Sequence, residues 1–300
     1  MRRRQPILIT GSHRAGTTWV GQMLTQFPST CYIGEVFNPT SGLLPGHLLR
    51  HWFTYVNADN APLYVEPLNR ILSYRFDWSQ RQGARRYLPG RLLAYRLLRR
   101  TIGLPRPILK DPIAVMSAGW LDETFDMDVV CLVRHPAAFV ASLRQVGWRF
   151  GFKSFSEQPA LLADWLQPFA EQIAQPPPTF VGKAALLWLC VYHVVTLAAA
   201  QHPDWICLRL EDIAAAPQEA FADLYRRLDL PWSERSQRRV AAHSNEQNPV
   251  GAPRDDPHAI VRHSQAAAQA WRQKLSAEEI SQIRRLTEPV AQHYYADHDW

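Results

Sequence analysis

The sequence predicts an α/β protein with one domain over residues 1–300, in which a mainly parallel sheet is flanked by helices. Three observations support this class. Short apolar runs rich in β-branched residues alternate with longer segments of helical periodicity. The runs at 7–9 and 129–133 are apolar at every position, as strands buried on both faces are. A chain of 300 residues, 47% of them hydrophobic, is also long enough to form one large core.

The first unit of this pattern is a strand, a turn bounded by glycines, and a helix. The strand covers residues 7–9, the turn runs from Gly11 to Gly16, and the helix begins at Thr17. Such a unit directs backbone N–H groups and the positive end of a helix dipole towards an anion. An ordinary strand–turn–helix with convenient glycines is the alternative interpretation.

The turn is close to the nucleoside triphosphate loop G-x-x-x-x-G-K-[ST] but departs from it at the lysine. Gly11 and Gly16 keep the spacing of that loop. Thr18 keeps its hydroxyl, whereas Thr17 stands where the lysine belongs. The cation lies inside the loop instead, at Arg14. The coincidence of a turn, a cation and paired hydroxyls favours an anion-binding loop.

The stretch G-S-x-R-x-G-T-T-W resembles the loop that holds the 5′-phosphosulfate in sulfotransferases that use 3′-phosphoadenosine 5′-phosphosulfate (PAPS). The resemblance implies a P-loop NTPase-like sulfotransferase fold, with PAPS as co-substrate and no metal. It is closer to the carbohydrate and protein-tyrosine types than to the cytosolic small-molecule type. The loop residues that it places against the cofactor are Ser12, His13, Arg14, Ala15, Gly16, Thr17, Thr18 and Trp19.

Glu35 follows a short predicted strand at 31–33, within the segment G-E-V-F-N-P. Ligands of open α/β sheets bind beyond the carboxyl ends of the strands, so this carboxylate is a candidate general base. On position alone, a surface acid in a turn explains it equally well. The resemblance favours the base, because protein-tyrosine sulfotransferases carry a similar G-E element.

A third predicted strand, at 107–109, ends in the sequence K-D-P that begins at Lys110. A lysine at a strand terminus could neutralise the charge that grows on a bridging oxygen. The alternative is a Lys–Asp turn with a charge pair at the surface. K-D-P is similar to an element of protein-tyrosine and some carbohydrate sulfotransferases, in which the lysine faces the transferring sulfuryl group.

The strand at 129–133 ends in R-H-P, and the helix predicted over 137–148 carries Ser142 eight residues after Arg134. An arginine at a strand tip and a serine from the next helix can hold one phosphate from two sides. An ordinary strand–helix unit is the alternative. The pair resembles the motif that binds the 3′-phosphate of PAPS in the same family.

Two segments interrupt the alternation of strands and helices. Residues 40–105 are rich in aromatic side chains and arginines, and they predict a helical insertion that covers the acceptor; a solvated helix face is the alternative for the arginines. Residues 243–264 predict a lid loop over the cofactor, similar to a late loop of the family. Because the K-G-x-x-G version of cytosolic members is missing, the candidates there are Arg262 and Ser264.

Composition indicates the partners and the compartment. A net charge of +6 suits an anionic ligand but is too small an excess to predict a nucleic-acid partner. The four cysteines lack metal-ligand spacing, and Cys131 and Cys207 are predicted to be buried thiols. The apolar segment 184–200 contains His193 and is predicted to be a buried helix. We therefore expect a cytoplasmic protein without a transmembrane segment, and the oligomeric state stays open.

These features together predict transfer of a sulfuryl group from PAPS to an acceptor hydroxyl by in-line attack. Glu35 would take the proton while Arg14 and Lys110 stabilise the developing charge; a histidine is an alternative base. The acceptor needs only a free hydroxyl, and the aromatic insertion favours a glycan or a lipid-linked molecule. The alternatives are a P-loop kinase with a degenerate loop and a non-catalytic polyanion-binding protein.

Overall fold

The computed structural model of the protein describes residues 5–25, 29–75, 105–251 and 259–300. The strands in these ranges are β1 Ile7–Gly11, β2 Thr30–Gly34, β3 Arg106–Lys110, β4 Asp128–Val133 and β5 Ile206–Arg209. They form one sheet in the order β2-β3-β1-β4-β5, and every neighbouring pair is parallel. The predicted α/β class and single domain are confirmed.

Helices connect and cover the strands. The α-helices are α1 Thr17–Leu24, α2 Pro62–Leu72, α3 Ala118–Phe125, α4 Pro136–Gln145, α5 Lys153–Ser156, α6 Pro159–Leu161, α7 Ala170–Ala174, α8 Phe180–Gln201, α9 Leu210–Ala215, α10 Pro217–Arg227, α11 Glu234–Ser244, α12 Ser264–Gln269 and α13 Ala277–Ala291. Short 3₁₀ helices cover Gly46–Leu48, Ile113–Ser117, Gln167–Phe169, Ala270–Gln273 and Asp297–Asp299, and a π-helical turn covers Leu162–Leu166.

The sequence of β4 shows why the central strands are apolar at every position. Successive side chains of a strand point to opposite faces of the sheet. Val130 and Leu132 pack into the core on the face covered by α1 and α10, whereas Cys131 and Val133 pack into the core on the face covered by α4 and α8. Because helices cover both faces, neither set of positions can be polar.

The long helix α8 is a core element. Among the described residues, it is the one helix long and apolar enough to cross a membrane. However, 72% of its most apolar window is buried inside the fold, and Trp188 and Tyr192 are fully buried. The helix begins at a capped terminus, where the Thr179 hydroxyl accepts a hydrogen bond from Gly182 N. The buried helix predicted over 184–200 is therefore present and accounts for this apolar segment.

The prediction that both strand cysteines are buried is half wrong. Cys131 on β4 is fully buried, but Cys207 on β5 is exposed. The reason is the strand order, which puts β5 at an edge of the sheet. An apolar run marks a strand without indicating whether that strand lies at the centre or at the edge.

The helix after β4 is shorter than predicted. It ends at Gln145 instead of residue 148, and Gly147 has a φ of 64°. A glycine in the left-handed region just beyond the last helical turn is a common way to end a helix.

The insertion and the lid loop are described only in part. Residues 40–75 contain a 3₁₀ turn and α2, whereas 76–104 lie outside the described residues. Helix α11 extends to Ser244, and within the predicted lid the residues 252–258 also lie outside the described part of the chain. The acceptor-covering insertion and the cofactor lid stay predictions.

Candidate active site

The strand order creates a crevice between β1 and β4. The chain leaves β1 towards β2 on one side of the sheet and leaves β4 towards β5 on the other side. Where neighbouring parallel strands connect in opposite directions, their carboxyl ends leave a crevice in which ligands bind. The loop at 12–16 follows β1 and Arg134 follows β4. Both predicted phosphate motifs therefore lie at this crevice.

Two glycines allow the loop to turn there. Gly11 has a φ of 128°, and a Cβ at this position would collide with the carbonyl oxygen of Leu132 on β4. Gly16 has a φ of 89°, and its Cβ would lie 2.6 Å from Cδ1 of Leu210. Helix α1 begins directly after Gly16, so the N–H groups of its first turn, which lack partners within the helix, lie at the crevice.

Arg14 and Arg134 belong to one hydrogen-bonded cluster. Arg134 Nη1 donates to the backbone oxygen of Arg14 at 2.7 Å, and Arg14 Nε donates to the Ser142 hydroxyl at 3.1 Å. The serine thus contacts the loop arginine, whereas the sequence motif pairs it with Arg134. The two phosphate motifs are 120 residues apart in sequence and in direct contact in space.

A third arginine joins this cluster. Burial, followed by repulsion from Arg134 and Arg262, lowers the pKa of Arg14 to about 10, so this guanidinium stays charged at neutral pH. Burial also lowers the pKa of Arg134, with Arg262 acting in the same direction and Glu211 in the opposite one. The three arginines line the same cleft of about 950 Å³, which is open to solvent. In the described part of the chain, the buried Nε of Arg134 has no hydrogen-bond partner. This concentration of cations fits a multiply charged anion.

Glu35 and Lys110 meet at the same cleft because β2 and β3 are neighbours. Gly34 pairs with Lys110 in the sheet, and Glu35 N donates to the backbone oxygen of Lys110 at 2.8 Å. Lys110 Nζ lies 2.5 Å from Glu35 Oε1, and Asn38 Nδ2 donates to Glu35 Oε2 at 2.8 Å. The predicted base and the predicted charge-stabilising lysine are therefore in direct contact.

Asp111 fixes the backbone on both sides of the Glu35–Lys110 pair. Its carboxylate accepts hydrogen bonds from the N–H groups of Phe37, Ile113 and Ala114, at 2.8, 3.0 and 3.3 Å. These bonds connect the loop after β2 to the 3₁₀ helix after β3. Burial, reinforced by the charge of Glu35, raises the pKa of Asp111 to about 7. Since Lys110 and Asp111 are both buried, they are not a charge pair at the protein surface.

A sequence-family model described as the sulfotransferase family matches residues 6–234, which is most of the chain. The protein belongs to the sulfotransferase family. A comparison with curated protein sequences finds no match.

Several solved sulfotransferase structures match this sulfotransferase over most of its length. The sulfotransferase domain from the curacin biosynthetic pathway is 15% identical, with a TM-score of 0.47 and coverage of 97% of this chain and 99% of that one. The sulfotransferase domain of the Synechococcus PCC 7002 olefin synthase is 16% identical, with a TM-score of 0.45 and coverage of 99% and 98%. Mouse sulfotransferase SULT7A1, complexed with PAP, is 10% identical, with a TM-score of 0.46 and coverage of 97% and 86%.

Most of the site residues predicted from the sequence line the cleft of this sulfotransferase together. They are His13, Arg14, Gly16, Thr17, Thr18, Trp19, Glu35, Lys110, Arg134, Arg262 and Ser264. Ser142 is reached through Arg14, as described above.

Ser12 and Ala15 of the loop point into the protein instead. The hydroxyl of Tyr192 on α8 donates to Leu132 O at 3.0 Å, so its oxygen accepts from the Ser12 hydroxyl at 2.8 Å and from Ser12 N at 3.3 Å. Ala15 is fully buried in the apolar core on the α1 face. These two residues fix the loop to the fold rather than present side chains to a ligand.

His13 contributes a neutral ring to the site. It packs against Phe53, Phe139 and Trp148, with ring centroids 5.7, 5.4 and 4.0 Å away. Burial, with a smaller contribution from the charge of Arg14, lowers the pKa of His13 to about 3. The ring is therefore uncharged at physiological pH and adds nothing to the positive charge of the loop.

An apolar wall of the cleft was missed by sequence reasoning. Leu210, Ala214 and Ile260 line the cleft together with Trp19 and His243, and Leu210 and Ile260 pack against the core cluster that contains Trp19. Leu210 directly follows β5, so the rule that ligands lie beyond strand ends could have indicated it. Ile260 and His243 lie within the segment 243–264 that is predicted to be a lid loop, but no local pattern singles out these two residues.

Proposed function

We propose that the cleft binds PAPS and that the enzyme transfers its sulfuryl group to an acceptor hydroxyl. The observation that carries this proposal is the convergence of Arg14, Arg134 and Arg262 in one cleft, with the Glu35–Lys110 pair beside them. PAPS carries phosphate groups at both the 5′ and the 3′ ends of one nucleoside, and a cluster of guanidinium groups suits such an anion.

The residues present fit this co-substrate. The loop after β1 supplies Arg14, the Thr17 and Thr18 hydroxyls and the helix terminus for the 5′-phosphosulfate. For the 3′-phosphate, Arg134 has a buried Nε without a partner among the described residues, which is free to donate. Arg262 is a second cation on the same cleft, and the apolar wall with Trp19 can take the base.

Glu35 and Lys110 are proposed to handle the proton and the developing charge. When bound, PAPS supplies a sulfuryl group carried on a phosphate leaving group. Glu35 accepts the proton of the acceptor hydroxyl, which makes its oxygen a stronger nucleophile. Lys110 donates to the oxygen on which charge develops as the leaving group departs. Asn38 orients the second carboxylate oxygen of Glu35 through its 2.8 Å hydrogen bond.

We further propose that the acceptor is a glycan or another amphipathic alcohol, including lipid-linked ones. The support for this choice is the aromatic-rich segment that directly follows the Glu35 loop, where Trp52 and Tyr55 are only partly buried. Aromatic rings with polar edges bind both sugar faces and lipid-linked alcohols through their apolar surfaces.

The test uses labelled PAPS and the variant Glu35→Gln. Wild-type protein incubated with PAPS carrying radioactive sulfur and a cell extract should label an acceptor, whose identity mass spectrometry then gives.

Glu35→Gln should lower turnover on the order of 10²–10⁴-fold, because the amide cannot accept the proton. Binding of 3′-phosphoadenosine 5′-phosphate (PAP), measured by calorimetry, should change little. Glu66→Gln on the exposed side of α2 is the matched control. Wild-type turnover by Glu35→Gln would remove Glu35 from the mechanism.

A further inference from the structure

Two cysteines face each other across the edge of the sheet. Cys131 on β4 and Cys207 on β5 are register partners, so their side chains lie on the same face of neighbouring parallel strands. Neighbouring strands are about 4.8 Å apart. This spacing lies within the range of about 4.4–6.8 Å between Cα atoms that a disulfide bond requires. The two thiols are close enough for each to shift the pKa of the other, which is raised for Cys131 and lowered for Cys207.

The two thiols differ in their surroundings. Cys131 is fully buried in the core under α8, whereas Cys207 is exposed on the edge strand. The neighbouring Cys131 thiol lowers the pKa of the Cys207 thiol, burial opposes this effect, and the positive charge of Arg227 lowers the pKa further. A thiol that is accessible and readily ionised, with a second thiol beside it, is the arrangement that reacts reversibly with oxidants.

We propose that Cys207 and Cys131 are a reversible oxidation site, which hydrogen peroxide converts into an intramolecular disulfide bond. The Cys207 thiolate attacks one oxygen of the peroxide, the O–O bond breaks, and one water leaves after protonation of the released hydroxide. The Cys131 sulfur then attacks the sulfenic sulfur of Cys207, and the S–O bond breaks with release of a second water. Two thiols and one hydrogen peroxide thus give one disulfide and two waters, and a dithiol reductant reverses the change.

The two cysteines lie close to the cleft along their own strands. Arg134 follows Cys131 by three residues, and Leu210 follows Cys207 by three residues. Both of these residues line the cleft at the ends of their strands. The inference itself rests on the strand register and the exposure of Cys207, and it does not depend on the proposed sulfuryl transfer.

The experiment measures thiols by mass rather than by activity. The reduced protein is treated with one equivalent of hydrogen peroxide, excess iodoacetamide is added under denaturing conditions, and the products are digested and identified by mass spectrometry. We expect the wild type to lose two hydrogen atoms and two alkylation sites and to give a cross-linked peptide containing Cys131 and Cys207. Dithiothreitol should restore both alkylation sites.

Two variants make the outcome specific. Cys207→Ser should keep the Cys131 thiol alkylatable after peroxide treatment and give no cross-linked peptide. Cys31→Ala is the matched control, since Cys31 lies on β2 at the opposite edge of the sheet, and this variant should still form the Cys131–Cys207 peptide. Oxidation of wild-type Cys207 to sulfinic acid, or a disulfide between two chains, in place of the cross-linked peptide would overturn the inference.

Discussion

Single side chains of the cleft make contacts that the sequence motifs do not show. The spacing of Arg134 and Ser142 predicts that the two side chains hold one phosphate, but Ser142 accepts a hydrogen bond from Arg14. Arg134 in turn donates to the backbone of Arg14. One network therefore connects the loop after β1 to the end of β4. Replacing Arg134 therefore also removes one hydrogen bond to the loop backbone, a smaller change than the loss of its own charge.

The variant Arg134→Ala tests the assignment of the 3′-phosphate. The loss of one charge-assisted hydrogen bond costs about 1.5–3 kcal/mol of binding free energy, so the affinity for PAP should fall by about 10- to 150-fold. Adenosine 5′-phosphate lacks the 3′-phosphate, so its affinity should fall much less. Isothermal titration calorimetry with both nucleotides measures the difference. Arg144→Ala, which removes an exposed arginine of α4 paired with Glu279, is the control. Equal losses for the two nucleotides would contradict the assignment.

Asp111 is a residue whose removal should destabilise the fold around the proposed base. Asp111→Ala leaves the buried N–H groups of Phe37, Ile113 and Ala114 without their acceptor. An unsatisfied buried donor costs about 1–3 kcal/mol, so we expect the free energy of unfolding to fall by at least about 2 kcal/mol. Urea denaturation followed by circular dichroism measures this change. The control Asp59→Ala, at an exposed turn, should stay within about 0.5 kcal/mol of the wild type. Equal stability of the two variants would show that these hydrogen bonds contribute little.

The raised pKa of Asp111 also predicts how stability changes with pH. Burial raises the pKa of the folded carboxyl to about 7, whereas the unfolded carboxyl keeps its usual pKa of 3.8, so between these two values the folded state binds more protons. Stability should therefore decrease as pH rises from 4 to 7, by at most about 1.4 kcal/mol per pH unit for this group. Denaturation of wild type and Asp111→Ala across that range isolates the effect. A contribution of Asp111 that increases with pH would contradict the direction.

At the scale of elements, the sequence predicts where the strands end better than how they are arranged. Continuous apolar runs locate β1 and β4, and glycine spacing locates the loop and the start of α1. The contact between Glu35 and Lys110 depends on the pairing of β2 with β3, which is a non-local property of the sheet. The exposure of Cys207 depends in the same way on the edge position of β5. Strand order thus decides features that local patterns leave open.

A substitution at Gly11 tests how closely β1 packs against β4. In Gly11→Ala the new methyl group collides with the Leu132 carbonyl, and the residue must also keep a φ of 128°. Backbone strain and overpacking together should lower the free energy of unfolding by about 3 kcal/mol or more. Gly147→Ala is the matched control, because Gly147 also has a positive φ but a Cβ there would meet none of the described residues within 4 Å. That variant should lose only about 1 kcal/mol. A loss no larger than this in Gly11→Ala would mean that β4 can move away.

For the whole molecule, the fold gathers cations from distant segments at one crevice. Arg14, Arg134 and Arg262 come from the loops after β1 and β4 and from the chain before α12. The net charge of +6 is modest, so this local concentration matters more for anion binding than the total charge does. The fold class could be predicted from the sequence, and so could Arg14 and Arg134, because each of these arginines follows a recognisable strand; Arg262 was a candidate only through the resemblance of the late loop. The packing of Ile260 against the core cluster of Trp19 could not be predicted, because only the folded chain brings these two residues together.

The identity of the nucleotide can be tested on the stability of the whole protein. A ligand that binds only the folded state at 100 times its dissociation constant stabilises that state by about 2.7 kcal/mol. We expect PAP to raise the melting temperature accordingly, with the same shift in EDTA as in Mg²⁺, because Arg14 stands in the loop and Thr17 replaces the lysine of ATP-binding loops. For a kinase with a degenerate loop, ATP would raise the melting temperature most, and this rise would require Mg²⁺. For a polyanion-binding protein, PAP and adenosine 5′-phosphate would raise the melting temperature equally, and the rise would become much smaller as the salt concentration increases. Differential scanning fluorimetry with the three nucleotides, with and without Mg²⁺, separates these cases, and a Mg²⁺-dependent preference for ATP would rule out the assignment of PAPS.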